Sequence, residues 1–134
     1  MAQVSKNKLE KHIEAKLVHT FQLVLTKLSK EEEMDNFLLS FLTPTEQIMF
    51  AKRLAIAILL KEGYSDTEIS KTLHVTRITV SRLRFFIEAR GKGYQFAFQI
   101  LENEKFREEM HLLLEELLAY AARSAGGRVK PIKF

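Results

Sequence analysis

The chain has 134 residues, enough for about one domain with a substantial core. Hydrophobic residues make up 46%, which excludes an intrinsically disordered polymer. The absence of cysteine excludes disulfides and cysteine-ligated metals and fits a reducing, cytoplasmic setting, while the net charge of +4 is a mild basic excess whose placement matters more than its size.

Residues 1–6 are polar and are expected to form a disordered N-terminus. Leu9, Ile13, Leu17, Phe21, Val24 and Leu28 recur at three- and four-residue spacing, predicting a helix over 7–29. Val18 and Leu25 widen its apolar face, so it needs more than one neighbour. Charges interrupt this stretch and no small-residue cleavage site follows it, so no signal peptide is expected. Glu31, Glu32 and Glu33 favour the start of a second helix through the macrodipole, and Met34, Phe37, Leu38 and Phe41 lie along it.

Thr43-Pro44-Thr45-Glu46 opens a third helix: Thr43 caps it, Pro44 stands where its missing N–H costs nothing, and Glu46 closes a capping box. This helix is predicted to run to about Glu62, with Ile48, Leu54, Ile58 and Leu59 inward and Gly63 as terminator. Its apolar run Leu54–Leu60 is the longest in the chain and far too short to cross a bilayer, so no membrane partner is expected.

A helix-turn-helix follows over 65–90. Ser65 and Glu68 form a second capping box, Ile69 and Leu73 share one face, and His74-Val75 makes a corner. Thr76 caps the next helix, whose Val80 and Leu83 point back to the first, leaving Thr76, Arg77, Thr79, Ser81 and Arg84 on the outer side. The beginning of this helix is suited to a major groove. Gly91-Lys92-Gly93 ends it. Tyr94, Phe96, Phe98 and Ile100 alternate like a strand, but a lone strand would lack a partner, so the segment is assigned as helix. The last helix spans about Asn103 to Arg123, with Phe106, Met110, Leu113, Leu114, Leu117, Leu118 and Ala121 along it. Residues 124–134, with Gly126-Gly127, are expected to be a basic flexible tail.

Charge is sorted along this plan. Lys71 to Tyr94 holds Lys71, Arg77, Arg82, Arg84, Arg90 and Lys92 against the single acid Glu88. Leu101 to Glu116 is acidic, and Arg123, Arg128, Lys130 and Lys133 follow without an acid. One face is thus expected to meet a polyanion. The expected fold is all-α with a central helix-turn-helix. Helices over 7–42 serve dimerisation, a core spans 43–93, and C-terminal helices span 94–123. The outer helices carry more apolar surface than a small monomer easily covers, and Leu112, Leu113 and Leu114 cannot all face one side; a fully buried core helix is one account, and the expected one is a homodimer whose N- and C-terminal helices pack across a two-fold axis. Such a dimer reads two half-sites about one DNA turn apart.

Five segments carry a resemblance: Leu-Thr-Pro-Thr-Glu at 42–46, Lys-Arg-Leu at 52–54, Leu-Leu-Lys-Glu-Gly-Tyr-Ser at 59–65, Glu-Ile-Ser at 68–70 and Val-Thr-Arg-Ile-Thr-Val-Ser-Arg at 75–82, with the glycines at 91 and 93 after them. On these, residues 42–94 resemble the Trp repressor superfamily, and more closely its Trp-repressor-related YerC/YecD-type branch. The resemblance implies an all-helical fold interlaced as a dimer. It also implies a candidate effector site: two arginines that sandwich an indole match Arg53 and Arg82, a threonine near the ligand matches Thr43, and another matches Thr79. Other positions depart. A glycine that leaves room for the indole is Leu83, and a serine at the amino-acid head group is Phe86. Tryptophan sensing is therefore not expected. An arginine that reads a guanine is Thr67, so the operator does not carry over, and the turn glycine is His74.

The function expected is sequence-specific binding of double-stranded DNA by a transcriptional regulator. Arg77 is the residue best placed for a bidentate guanine contact. Thr76, Thr79 and Ser81 suit bases or phosphates, and Arg82 and Arg84 suit phosphate, with Lys71 and Lys92 flanking. Each alone also fits a solvated surface charge, and Arg53 fits a structural ion pair with a glutamate better than a ligand role. Catalysis lacks support: His12, His19, His74 and His111 are scattered without metal spacing, and no phosphate loop or nucleophile elbow occurs, so no enzyme, cofactor or metal is expected. Two other classes stay open, a helical protein-interaction module docking through the acidic last helix and an accessory DNA-binding protein of a mobile element.

Overall fold

A computed structural model describes residues 6–125, the side chains of 104–106, 124 and 125 excepted. The expected disordered N-terminus, apart from Lys6, and residues 126–134 of the basic tail, with Arg128, Lys130 and Lys133, lie outside the described residues, whereas Ser124 and Ala125, expected to begin that tail, are helical. The described chain is all-helical: α1 (Lys11–Lys27), α2 (Glu31–Phe41), α3 (Pro44–Lys61), α4 (Asp66–Leu73), α5 (Arg77–Arg90), α6 (Lys92–Glu102) and α7 (Glu104–Ala125). Two compact units divide between Phe50 and Ala51, within α3.

In the first unit, the ring of Phe41 stacks on Phe37 at 5.1 Å and on Phe21 at 5.3 Å, tying α2 to α1. Neither helix buries a single residue. Ile13, Leu17, Val18, Phe21 and Val24 all remain exposed along α1. At the head of α3, the Thr43 N–H donates to Glu46 Oε2 at 2.8 Å, and the Glu46 N–H donates to Thr43 Oγ1 at 3.2 Å, the reciprocal box read from the sequence.

The second unit has the core. Ile56, Ile58 and Leu59 of α3 join Tyr64, Ile69, Leu73, Val80, Leu83, Leu114 and Leu118 in one buried cluster. The inward residues of α3 differ from expectation: Ile58 and Leu59 are buried, but Ile48 and Leu54 are exposed, while Ile56 and Ala57 are inside. Apolar spacing announces a helix without saying which part of it neighbours will enclose. Lys61, in the last turn of α3, pairs with Glu102 and lies 4.9 Å over the ring of Phe98, fastening α3 to α6.

Gly63 ends α3 in the left-handed region at φ +87°. The Tyr64 N–H reaches Leu59 O and the Gly63 N–H reaches Leu60 O, both at 3.1 Å, and the Leu59 and Tyr64 side chains share the core. This is a Schellman motif with its hydrophobic closure. A side chain at 63 would have space but not the backbone conformation. Gly63→Ala is therefore expected to cost about 1–2 kcal/mol, seen as a lower urea midpoint at unchanged slope.

Burial, with help from the charges of Glu68 and Glu62, pushes the Tyr64 phenol above its ordinary value. Its folded-state pKa thus exceeds its unfolded one, so its contribution is complete below pH 10 and is lost as pH rises toward the folded value. Tyr64→Phe is expected to flatten the fall of the urea midpoint between about pH 9 and about pH 11 relative to the parent.

α6 resolves the ambiguous stretch. Tyr94 and Phe98 face the core with rings 6.2 Å apart, and Leu101 follows them, while Phe96 and Ile100 are exposed. A strand would place all four alternating residues on one face; a helix places 94 and 98 opposite 96 and 100. α7 packs on α4 and α6 of its own unit, burying Leu114 and Leu118 and leaving Leu112 and Leu113 outside.

Candidate nucleic-acid interface

α4 begins at a complete capping box. The Ser65 N–H donates to Glu68 Oε2 at 2.8 Å and the Glu68 N–H donates to Ser65 Oγ at 3.2 Å. Ile69 and Leu73 turn inward at 0% and 5% exposure. Thr72 is the one buried polar side chain in the described core, and its hydroxyl is satisfied by the Glu68 carbonyl at 2.7 Å. His74 takes the left-handed conformation at φ 53°, ψ 50°, where a glycine meets no strain. The corner is braced around it: the Val75 N–H donates to Ser70 O, and the Ser70 hydroxyl donates to Val75 O. The His74 ring meets Tyr120 of α7 edge-on at 6.3 Å.

α5 is capped by Thr76, whose hydroxyl accepts from the Thr79 N–H at 3.2 Å and lies 2.9 Å from the Thr79 hydroxyl. Val80 and Leu83 are buried against the first helix, and Ile87 packs on the same core. Thr76, Arg77, Thr79, Ser81 and Arg82 are exposed, and the first turn holds no acidic residue. The free N–H groups there add to the positive potential. α7 takes its place against α4 and α6, so the outward side of α5 stays open. Gly91 joins α5 to α6, where a Cβ would collide with the Ile87 carbonyl oxygen.

The structure gives Arg84 a different partner from the expected phosphate. Its Nε donates to Asp66 Oδ1 at 3.1 Å and its Nη2 pairs with the same oxygen. Asp66 is the first residue of α4, so this ion pair sets the two helices of the motif against each other. Lys71 and Lys92 are exposed, in the last turn of α4 and at the start of α6.

The candidate effector residues are placed as follows. Thr43 belongs to the first unit, and its backbone and hydroxyl hydrogen bonds hold the Glu46 carboxyl below its ordinary range. Arg53 and Arg82 belong to the second unit and are exposed, Arg82 in a shallow depression with Ile78, Ser81, Phe85 and Phe86. Leu83 does not face that depression; it fills the core between α4 and α5. Phe86 is half exposed. Missed in the sequence reading were Ile78 and Phe85, both outward on α5. Counting 100° per residue from buried Val80 and Leu83 places them on the opposite pole.

Among the described residues no cluster of three or more His, Cys, Asp or Glu side chains is arranged to hold a metal ion. No described helix is long and apolar enough to cross a membrane. The profile of the family described as Trp repressor protein matches residues 16–102. The chain belongs to the Trp repressor family. It is, at that level, a helix-turn-helix DNA-binding regulator in a family that is not enzymatic. No curated protein and no solved structure matches the chain. The family match ends at the last residue of α6, so α7, which supplies Leu114 and Leu118 to the core, lies beyond it.

Proposed function

We propose that this member of the Trp repressor family is a homodimeric, cytoplasmic regulator of transcription that reads double-stranded DNA in the major groove with the first turns of α5. The observation that carries the reading is the division of α5. Val80 at 0% and Leu83 at 8% exposure lock it to α4, while Arg77, Ser81 and Arg82 are exposed on a helix start without acids. Arg77 is assigned to a base edge. Thr76, Thr79, Ser81, Arg82, Lys71 and Lys92 are assigned to bases and phosphates, with Arg84 bracing the motif through Asp66.

The dimer is supported by the first unit, whose helices α1 and α2 bury nothing although Leu17 and Phe41 are more than half exposed. Amphipathic helices draw their stability from packing, and a second copy of the same helices supplies it. Residues 7–42 are thus assigned to dimerisation. The chain is placed with the YerC/YecD-type branch on the segments from 42 to 82. Tryptophan is not the effector in this reading, because Phe86, beside Arg82, stands where the indole-binding members have a small side chain. An effector of other chemistry is left to Arg53 and Arg82 of the second unit.

Selection of bound duplexes from a random pool, with and without amino acids, tests the reading. A palindromic enriched site with half-sites about one turn apart is expected, its recovery falling steeply with salt. Absence of any enriched duplex at low salt would overturn it.

A further inference from the structure

The outward pole of α5 is not polar throughout. Opposite Val80, Leu83 and Ile87 it falls on Ile78 and Phe85, flanked by Ser81 and Arg82. Ile78 is 65% exposed, on the first turn, directly after Arg77. Thr76 and Thr79 turn their hydroxyls to each other, while Arg77 and Ile78 are exposed on that turn, with Ser81 exposed one turn on from Arg77. Ile78 is β-branched and stiff at χ1, so the helix holds it in a narrow range of directions. Phe85 stands about 10.5 Å further along the axis, close to the full width of a major groove. A helix entering by its N-terminus therefore brings Ile78 to the base edges and leaves Phe85 toward the rim. The apolar group that the major-groove edges of the bases present is the C5-methyl of thymine.

The geometry points to Ile78 as a specificity-determining residue, one that packs on a thymine methyl in the same half-site whose guanine is read by Arg77. This rests on the reading of α5 as the helix that enters the groove. It deepens that reading from a positive surface to a defined base requirement: a guanine recognised by hydrogen bonds beside a thymine recognised by apolar contact.

The test uses the full chain and the duplex enriched from the random pool, with each thymine replaced in turn by deoxyuridine, which lacks only the methyl. One replacement in each half-site is expected to weaken binding about fourfold, the worth of one methyl removed from water. For Ile78→Ala the same replacement is expected to leave affinity unchanged. The exposed position lets this variant keep its fold, checked by far-ultraviolet circular dichroism and the urea midpoint. Indifference of the parent to every replacement overturns the proposal while duplex binding stands. So does full methyl dependence in Ile78→Ala, or an Ile78→Ala effect confined to self-association. Failure to enrich any duplex overturns this proposal and the groove reading together.

Discussion

Ile69→Ala is expected to lower the unfolding free energy by about 2–5 kcal/mol, the loss of transferred methyl groups plus the cavity left behind. Ile69 is fully buried in the cluster that holds Leu73 of its own helix, Val80 and Leu83 of α5, and Leu114 and Leu118 of α7. α4 is only eight residues long, so its own backbone bonds cannot hold it in place. Its position comes from this cluster, the Ser65 cap and the Arg84–Asp66 pair. Relaxation to fill the cavity would have to move α4 against α5 and α7 together. For a domain with about 5–15 kcal/mol in total, that is a large share, and DNA affinity is expected to fall with it. Urea unfolding at one fixed protomer concentration measures the effect, because a dimer's stability depends on concentration. Leu113→Ala, at a half-exposed position on α7, is the control, expected within about 0.5 kcal/mol of the parent. Equal midpoints for the two variants would show that the cluster does not hold the motif together.

The second large effect is on binding. Arg77→Ala is expected to weaken the enriched site by about 1–3 kcal/mol and to relax base preference at one position of each half-site. Arg82→Ala is expected to weaken all duplexes alike and to reduce the slope of affinity against salt by about one. The distinction follows from place. Arg77 opens the first turn of α5 beside exposed Ile78, whereas Arg82 lies more than a turn further on, next to Phe85 and Phe86. Gel-shift titration across several salt concentrations, on the enriched site and on a scrambled duplex, separates the two. Unchanged affinity in both variants would remove α5 from the interface.

Much of the local structure was legible in residue order. The boxes at Thr43–Glu46 and Ser65–Glu68, the Thr76 cap and the glycine at 63 each use groups within a few residues of one another. Their geometry is decided before any helix meets another. The inward direction of Val80 and Leu83 was legible for the same reason, since a capped helix has a known start and hence a known phase. Arg84 was not. Its partner Asp66 lies 18 residues away on the preceding helix, and nothing near Arg84 in the chain distinguishes it from Arg82. Ile78 was passed over because attention to cations and hydroxyls hides an apolar side chain on the reading face.

The order of residues alone settled the capped starts of α3, α4 and α5, the stop at Gly63, the corner at His74 and the concentration of positive charge between 71 and 94. Those features arise from neighbouring backbone and side-chain groups and need no distant partner. The fold as a whole decided that Ile48 and Leu54 stay outside, that Leu114 rather than Leu112 enters the core, and that α7 closes over α4 while α5 stays open. Each of these depends on which surface lies opposite. Burial is a property of two packed elements, and the periodicity of one helix describes only half of that pair.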